Sequence, residues 1–239
     1  VFLSTKRGTW IRSRVSCAGY PSDMLNSSRL WERVFDIVPS LGDWLKQRKM
    51  NKRINHDLYR LRPNFGPSSQ SPLLNDDLPN RIICGSIQIK TDIQRFTSTG
   101  VEFVDGTFED NIDLVILATG YSLSFSFIEK KVIDVNDNHV QLYKYMYPPE
   151  LQHHTLAIIG CIQPHGAIMP ISELQCRLAT RVLKGNVVLP SKDDMWKDIR
   201  SKKIAIAKRY IKSRRHTIQV SYIHFMDELA RLVGCSVDY

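Results

Sequence analysis

The sequence has no apolar run approaching the ~18 residues needed to span a bilayer, and nothing near its start has the charged, apolar and small-residue order of a signal peptide. The segment itself is therefore not membrane-spanning. Cysteine is sparse: five residues, Cys17, Cys84, Cys161, Cys176 and Cys235, lie scattered without C-x-x-C spacing. Two of them, Cys84 and Cys161, fall in apolar, strand-like stretches. Such a set reads as reduced thiols in a cytosol-facing protein rather than as a zinc site or a disulfide framework. No internal repeat and no low-complexity tract is present, and there is no initiating Met before Val1-Phe2-Leu3, so the chain reads as an interior piece of a longer protein. Acidic residues are few beside basic ones, 24 against 33, for a net charge of +9 over 239 residues. That excess invites an acidic partner such as nucleic acid, phospholipid or a phosphorylated cofactor, without choosing among them.

What is present is a globular composition, 43% hydrophobic, enough for one large domain or parts of two. Residues 1–5 are β-rich and end in Lys6-Arg7-Gly8, which predicts a buried strand and a turn. Ser27 is placed to cap a helix carrying Leu30, Trp31, Val34 and Phe35, with Pro39 as its stop. A second helix is expected over 41–54, with a basic face of Lys46, Arg48, Lys49, Lys52 and Arg53. Residues 63–79 have the composition of a long connecting loop. Strands are then expected at 81–84, 86–89, 96–99, 101–104 and 114–117, with Gly85, Gly100 and Asp105-Gly106 as turns. Residues 114–117 and 156–160 are apolar nearly throughout, the pattern of parallel strands covered on both faces. Helices are expected at 171–183, 192–212 and 218–233, the last stopped by Gly234. Two buried strands, each feeding a glycine-containing turn, point to two nucleotide-binding α/β units.

Three places carry candidate chemistry. In a doubly wound dinucleotide domain the second strand ends near the adenosine ribose, and a basic residue there can meet the 2′-phosphate that separates NADP from NAD. Ser4, Thr5, Lys6 and Arg7 fit that place, and a guanidinium or ammonium would give charge-assisted hydrogen bonds to the phosphate. Taken alone, a basic pair after a strand is more often a plain surface turn. Ala118-Thr119-Gly120-Tyr121 ends an apolar strand in small residues that let the backbone approach a flat cofactor or pass between domains; an ordinary glycine turn explains it equally. Residues 160–170 join a strand to a helix, and the free N–H groups at that helix start, with the amide of Gln163 and with Gly166, could hold the oxygens of a flavin or another anionic group. His165 reads as a solvent-facing or capping residue rather than a proton carrier. The basic stretch of Lys202, Lys203, Lys208, Arg209, Lys212, Arg214 and Arg215 reads as a solvated helix face more readily than as a binding patch.

The order Val1-Phe-Leu-Ser-Thr-Lys-Arg-Gly-Thr-Trp10, Gly19-Tyr20-Pro21 with Asp23-Met24-Leu25, Asn55-His56 with Tyr59 and Pro63, then Ala118-Thr119-Gly120-Tyr121, Gln163 with Gly166, Leu174-Gln175 with Arg177, Leu189-Pro190 and Met226-Asp227-Glu228-Leu229 resembles the flavin-containing monooxygenases of vertebrates from end to end. The resemblance implies an α/β, two-dinucleotide-binding-domain flavoprotein with Rossmann-like FAD and NADP domains, incomplete here and carrying a helical insertion. Residues 1–120 would be the remainder of the NADPH-binding domain, with the insertion at 22–62, and 121–239 the C-terminal part of the FAD-binding domain. It implies a flavin-dependent enzyme that uses NADPH and O2 to transfer one oxygen atom to a small-molecule amine or sulfide, with FAD carrying the chemistry. By the same resemblance, Lys6 and Arg7 lie near the 2′-phosphate, Ala118 to Tyr121 form the crossing between the domains, and Gln163 and Gly166 lie near the flavin. No side chain of the chain is expected to be catalytic and none to bind a metal. The resemblance also places the parent at the endoplasmic reticulum membrane, cytosol-facing, with the helices of 27–56 as candidates for peripheral contact and no nucleic acid as partner.

Both glycine-rich nucleotide loops of such an enzyme are missing from these residues, so the chain alone is expected to be inactive. Within the overlap Ser22 stands where many members have Trp, Arg60 follows Tyr59 where Gly is usual, Leu178 replaces an expected Trp, and Pro164-His165 replace smaller or apolar residues. Arg60 is expected to lose the positive φ that Gly would reach. The competing readings are an NADPH-dependent flavin disulfide-type reductase, which needs a redox-active cysteine pair, and a basic module binding nucleic acid or membrane.

Overall fold

The computed structural model describes residues 1–16, 19–26 and 28–236, which form two units, Val1–Thr119 and Gly120–Tyr239. In the first unit, strand β1 (Phe2–Ser4) pairs in parallel with β4 (Gln88–Lys90), Leu3 opposite Ile89, while β2 (Ile11–Arg12) pairs in parallel with β3 (Leu73–Leu74). Parallel partners need a long crossover. Here it contains helices α1 (Ser22–Asn26), α2 (Arg29–Ile37) and α3 (Pro39–Asn51), and α4 (Leu78–Ile83) precedes β4. Strands β5 (Ile93–Phe96), β6 (Val101–Phe103) and β7 (Phe108–Glu109) follow as an antiparallel meander whose last turn is Asp105-Gly106, with Gly106 at φ +79°.

The core of this unit is small: Ile11, Ile54, Leu61 and Leu78 are buried, with Ile82, Ile87 and Ile89 packed on them. It is pinned by a fully buried imidazole. The Ile11 N–H donates to His56 Nε2 at 2.9 Å, and His56 Nδ1 lies 2.7 Å from Asn51 Oδ1, an arrangement that puts the ring proton on Nδ1. Gly8 has φ +70°, and a Cβ there would stand 2.5 Å from the Leu61 carbonyl oxygen, so only glycine lets the turn after β1 lie against 61–62.

Several expectations need correcting here. Strand β1 exists, but it is not buried: Val1, Phe2 and Leu3 are all exposed. Ser27 lies outside the described residues. Pro39 does stop α2, which ends at Ile37, and it also starts α3, where its fixed φ suits the first turn. Residues 81–84 are helical, because Pro79 opens α4 and Asn75 Oδ1 accepts the otherwise unpaired N–H groups of Asp77 and Leu78 at 2.8 Å. Cys84 is accordingly an exposed helix end rather than a strand residue. Arg60 does adopt positive φ, +54°. Finally, Leu114, Val115, Ile116 and Leu117 form no strand and are 42–80% exposed, because no strand among the described residues pairs with them.

In the second unit the long helices follow the sequence pattern closely. α5 (Ile168–Leu183) packs against α7 (Tyr222–Val233), and α6 (Lys192–Arg209) lies between them in the chain. The Ser191 hydroxyl caps α6 by accepting the Asp194 N–H, with Asp193 and Asp194 in its first turn and Lys208 and Arg209 in its last, each sign set against the matching end of the helix dipole. Gly234 ends α7 in the left-handed conformation, as expected. The core gathers Met146, Tyr147, Ile171, Leu178, Met195, Phe225 and Leu229. Two short pairs complete the unit: β8 (Val135–Asn136) with β9 (His139–Val140), antiparallel, and β10 (Gln163–Pro164) with β11 (Gln219–Val220), parallel. Residues 218–221 are thus not helical, and α7 begins at Tyr222. Nor do residues 156–160 form a strand. They run between two side-chain clusters, tied by Ile158 N–H to the Met146 oxygen and by Gly160 N–H to Gln175 Oε1, both at 2.9 Å.

Candidate functional site

The basic turn after β1 is built by its partner strand. Thr5 N–H donates to the Lys90 carbonyl at 3.1 Å and the Ser4 hydroxyl to the Thr91 carbonyl at 2.7 Å, which carries the chain outward at Lys6 and Arg7. Both side chains are solvent-facing, and Lys6 makes a loose ion pair with Asp92 at 3.5 Å. In the second sequence-derived place, Ala118 N–H bonds back to the Ile116 oxygen at 3.1 Å, Gly120 takes φ +94°, and Tyr121 is 99% exposed. Ala118 and Thr119 close the first unit and Gly120 and Tyr121 open the second.

The third place is the most closely built. Gln163 N–H donates to the Ile218 oxygen at 2.8 Å and its backbone lies in register with Gln219, leaving its side chain exposed. Three residues on, a Cβ at Gly166 would fall 2.7 Å from the Tyr222 ring, so glycine permits the turn to lie on that aromatic face. Ala167, the N-cap of α5, offers no side-chain cap, which leaves the first N–H groups of that helix for another acceptor. His165 was expected to face solvent or to cap. It is half-buried with its ring 5.7 Å from Tyr210, which stacks in turn on His216 at 5.7 Å. Burial, and then the charge of Arg215, depresses the His216 pKa, so that ring is neutral beside the turn.

Two cavities stand out, and neither is lined by any of these ten residues. One, of about 150 Å³, lies between α6 and α7 and is lined by Lys202, Arg209, Tyr210, His224 and Phe225 among others. The other, of about 310 Å³, belongs to the first unit and is lined by Tyr59, Arg60, Ile82, Ile89 and Lys90 among others. Sequence reasoning also missed a buried charge cluster. Lys144 is 8% exposed, with Nζ 2.6 Å from Asp198 Oδ1 and 2.9 Å from Glu228 Oε2; Lys202 shares Glu228 at 2.7 Å. Lys202 is thus tied into that cluster rather than belonging to an open basic face, and Lys197 pairs with Asp194 at 2.8 Å. The one available signal for the cluster was a lysine inside the aromatic run Tyr143-Lys-Tyr-Met-Tyr147. Burial pushes the Cys161 thiol up, the opposite of what a reactive thiolate needs. Among the described residues no group of His, Cys, Asp and Glu could hold a metal, and no helix is long and apolar enough to cross a membrane.

Against this geometry, comparison with known proteins is direct. A family model described as flavin-binding monooxygenase-like matches residues 1–238. Human "Flavin-containing monooxygenase 5" is 52% identical over 235 residues, covering 98% of this chain and 44% of that protein. Mouse "Dimethylaniline monooxygenase [N-oxide-forming] 2" is 42% identical over 240 residues, covering 100% of this chain and 45% of that protein. The chain therefore spans less than half the length of these relatives. Among solved structures, the S-allyl-L-cysteine S-oxygenase of Allium sativum superposes with a TM-score of 0.54 at 28% identity, over 64% of this chain and 35% of that one.

Proposed function

The chain belongs to the flavin-binding monooxygenase-like family, and from that membership we propose that its full protein is an FAD- and NADPH-dependent enzyme that transfers one oxygen atom of O2 to a soft nitrogen or sulfur nucleophile. The observation that carries this is the identity of about half the residues, kept over 98% of the chain, with a flavin-containing monooxygenase. We assign the first unit to the NADPH-binding domain and the second to the FAD-binding domain of a flavoprotein with two dinucleotide-binding domains. The 239 residues alone are proposed to be inactive, and the full protein to work at the cytosolic face of the endoplasmic reticulum membrane, where α2 and α3 lie against the lipid surface through exposed Leu30, Ile37 and Trp44. No role for nucleic acid is proposed.

The residues present suit the two cofactors chemically. Lys6 and Arg7, with Ser4 and Thr5, are the donor set for a 2′-phosphate: two exposed cations at a strand end, one held only by a solvent-exposed ion pair that a phosphate would exchange. Gln163, Gly166 and the uncapped start of α5 offer amide donors suited to the oxygens of a flavin. FAD, when bound, would supply the redox and oxygen chemistry. The chain's own task is then positional: Gly8 fixes the basic turn, Ala118 to Tyr121 carry the chain from one nucleotide to the other, and the rings of Tyr210 and Tyr222 hold the 163–166 turn rigid.

The test is an assay of the full protein loaded with FAD, given NADPH and either a tertiary amine or a thioether under air and under argon. Oxygen-dependent N-oxide or S-oxide is expected. A folded, flavin-loaded protein that oxidises NADPH but forms neither product, or that reduces a disulfide instead, would overturn the reading.

A further inference from the structure

We propose that the cavity of the first unit, about 310 Å³, is a site for a small organic monocarboxylate with an apolar body, its carboxylate held by Arg60. The proposal goes beyond the oxygenation reading and does not depend on it, since none of the residues assigned to either cofactor lines this cavity.

Two independent observations meet at Arg60. The first is its backbone. At φ +54° it occupies the left-handed region that residues with a Cβ reach only at a cost, and the surrounding turn enforces it: Arg60 N–H bonds to the Asp57 oxygen, and both Leu61 and Arg62 N–H groups to the His56 oxygen at 2.9 and 3.1 Å. Since glycine would take this conformation freely, the strain is tolerated for the sake of the side chain or for nothing. The second observation is that side chain. Arg62 is paired with Asp57 at 2.7 Å, whereas the Arg60 guanidinium has no carboxylate partner among the described residues, and Arg60 is one of the residues that line the cavity.

The rest of the lining defines what would sit there. Tyr59, Ile82, Ile87 and Ile89, which pack against the core, supply the apolar part of a mixed polar and apolar lining. Of the other charged groups, the Lys90 ammonium is occupied by Glu109, and Asp105 remains as a carboxylate bonded by the Thr107 hydroxyl at 2.7 Å. One unpaired guanidinium and one fixed carboxylate in the same lining favour a monoanion, which can take a two-pronged bond from the guanidinium, over a phosphate dianion, which Asp105 would repel more strongly. The cavity volume lies at the lower end of the range of small-molecule sites, in keeping with a medium-chain or aromatic acid.

The experiment uses the full protein with saturating NADP⁺, and titrates octanoate, 1-octanol and inorganic phosphate by calorimetry. Octanoate is expected to bind saturably, about tenfold more tightly than octanol, with phosphate not competing. Arg60→Gln, which keeps the strained backbone but removes the charge, should lower octanoate affinity about tenfold and leave octanol unchanged, while Arg60→Lys should retain part of it. Denaturation midpoints of each variant establish that it is folded. No octanoate binding in the presence of saturating NADP⁺, equal affinity for octanoate and octanol, unaltered octanoate binding in Arg60→Gln, or displacement of octanoate by phosphate would each overturn the proposal. The oxygenation reading is scored separately by product formation.

Discussion

Replacing Lys144 with Met tests how the second unit is held together. Lys144 sits in a tight turn at φ +51°, and its ammonium joins that turn to Asp198 on α6 at 2.6 Å and to Glu228 on α7 at 2.9 Å. Methionine keeps the length and the apolar stem but deletes the charge, leaving two partly buried carboxylates facing the single Lys202. Removing one partner of a buried pair costs roughly 3–5 kcal/mol. Lys202 still lies 2.7 Å from Glu228 and 3.4 Å from Asp198, so the lower end is expected, about 3 kcal/mol. The pH dependence follows from the two shifted groups. Burial opposes the Lys144 charge, but the bonds to Asp198 and Glu228 outweigh it and raise its pKa. Its stabilisation is complete below the ordinary lysine value and is lost as pH rises through the raised one. Burial likewise opposes the Glu228 charge, but Lys202 and Lys144 outweigh it and lower its pKa. That stabilisation is present above the ordinary glutamate value and is lost as pH falls through the lowered one. Wild type and Lys144→Met should therefore differ most across the neutral range and converge in acid. The assay is urea unfolding followed by circular dichroism, with a double-mutant cycle to Glu228→Gln. A loss under about 1 kcal/mol, or a coupling energy near zero, would refute the reasoning.

Three further outcomes are expected. His56 is buried neutral and burial depresses its pKa, so the folded state binds its proton later than the unfolded chain; stability should fall as pH drops below the ordinary histidine value and level off below the depressed one, and His56→Gln should flatten that slope in pH-dependent urea melts. Gly166→Ala, whose Cβ would meet the Tyr222 ring at 2.7 Å, should cost about 1–3 kcal/mol, and Tyr222→Ala in the same chain should recover part of it; full additivity would deny the contact. Arg60→Gly should raise the denaturation midpoint by the equivalent of about 1 kcal/mol through relief of positive φ, and a lowered midpoint would show that the conformation is not strained.

Local signals were legible in the sequence. The start of α6 at Lys192, the course of α5 and the glycine stop of α7 all depend on residues within a few positions of one another, and all lie close to where the pattern put them; the Ser191 hydroxyl and the acidic first turn that fix the start of α6 are equally local. The error at 81–84 was of the same local kind: Asn75, Asp77 and Pro79 are helix-start residues that outweigh the β-favouring Ile82-Ile83 that follow them. Arg60 was misjudged by treating a conformational preference as a prohibition, when three backbone hydrogen bonds around it suffice to hold the turn. The Lys144 cluster is different, because its partners lie 54 and 84 positions away and only the fold brings them within 3 Å.

The two apolar runs show where pattern reading ends. Residues 114–117 and 156–160 carry nearly the same signal, yet one is exposed and unpaired while the other is half-buried between two side-chain clusters, with its polar groups taken by Met146 and Gln175. An apolar run states that a segment is suited to be covered; it does not state by what. A strand is a relation between two segments, and its backbone N–H and C=O groups become a ladder only beside a partner in register. At 156–160 a carbonyl of the 142–147 turn and a glutamine of α5 take the partner's place, so burial occurs without a sheet. At 114–117 nothing among the described residues does so, and the most apolar tetrapeptide of the first unit is also among its most exposed.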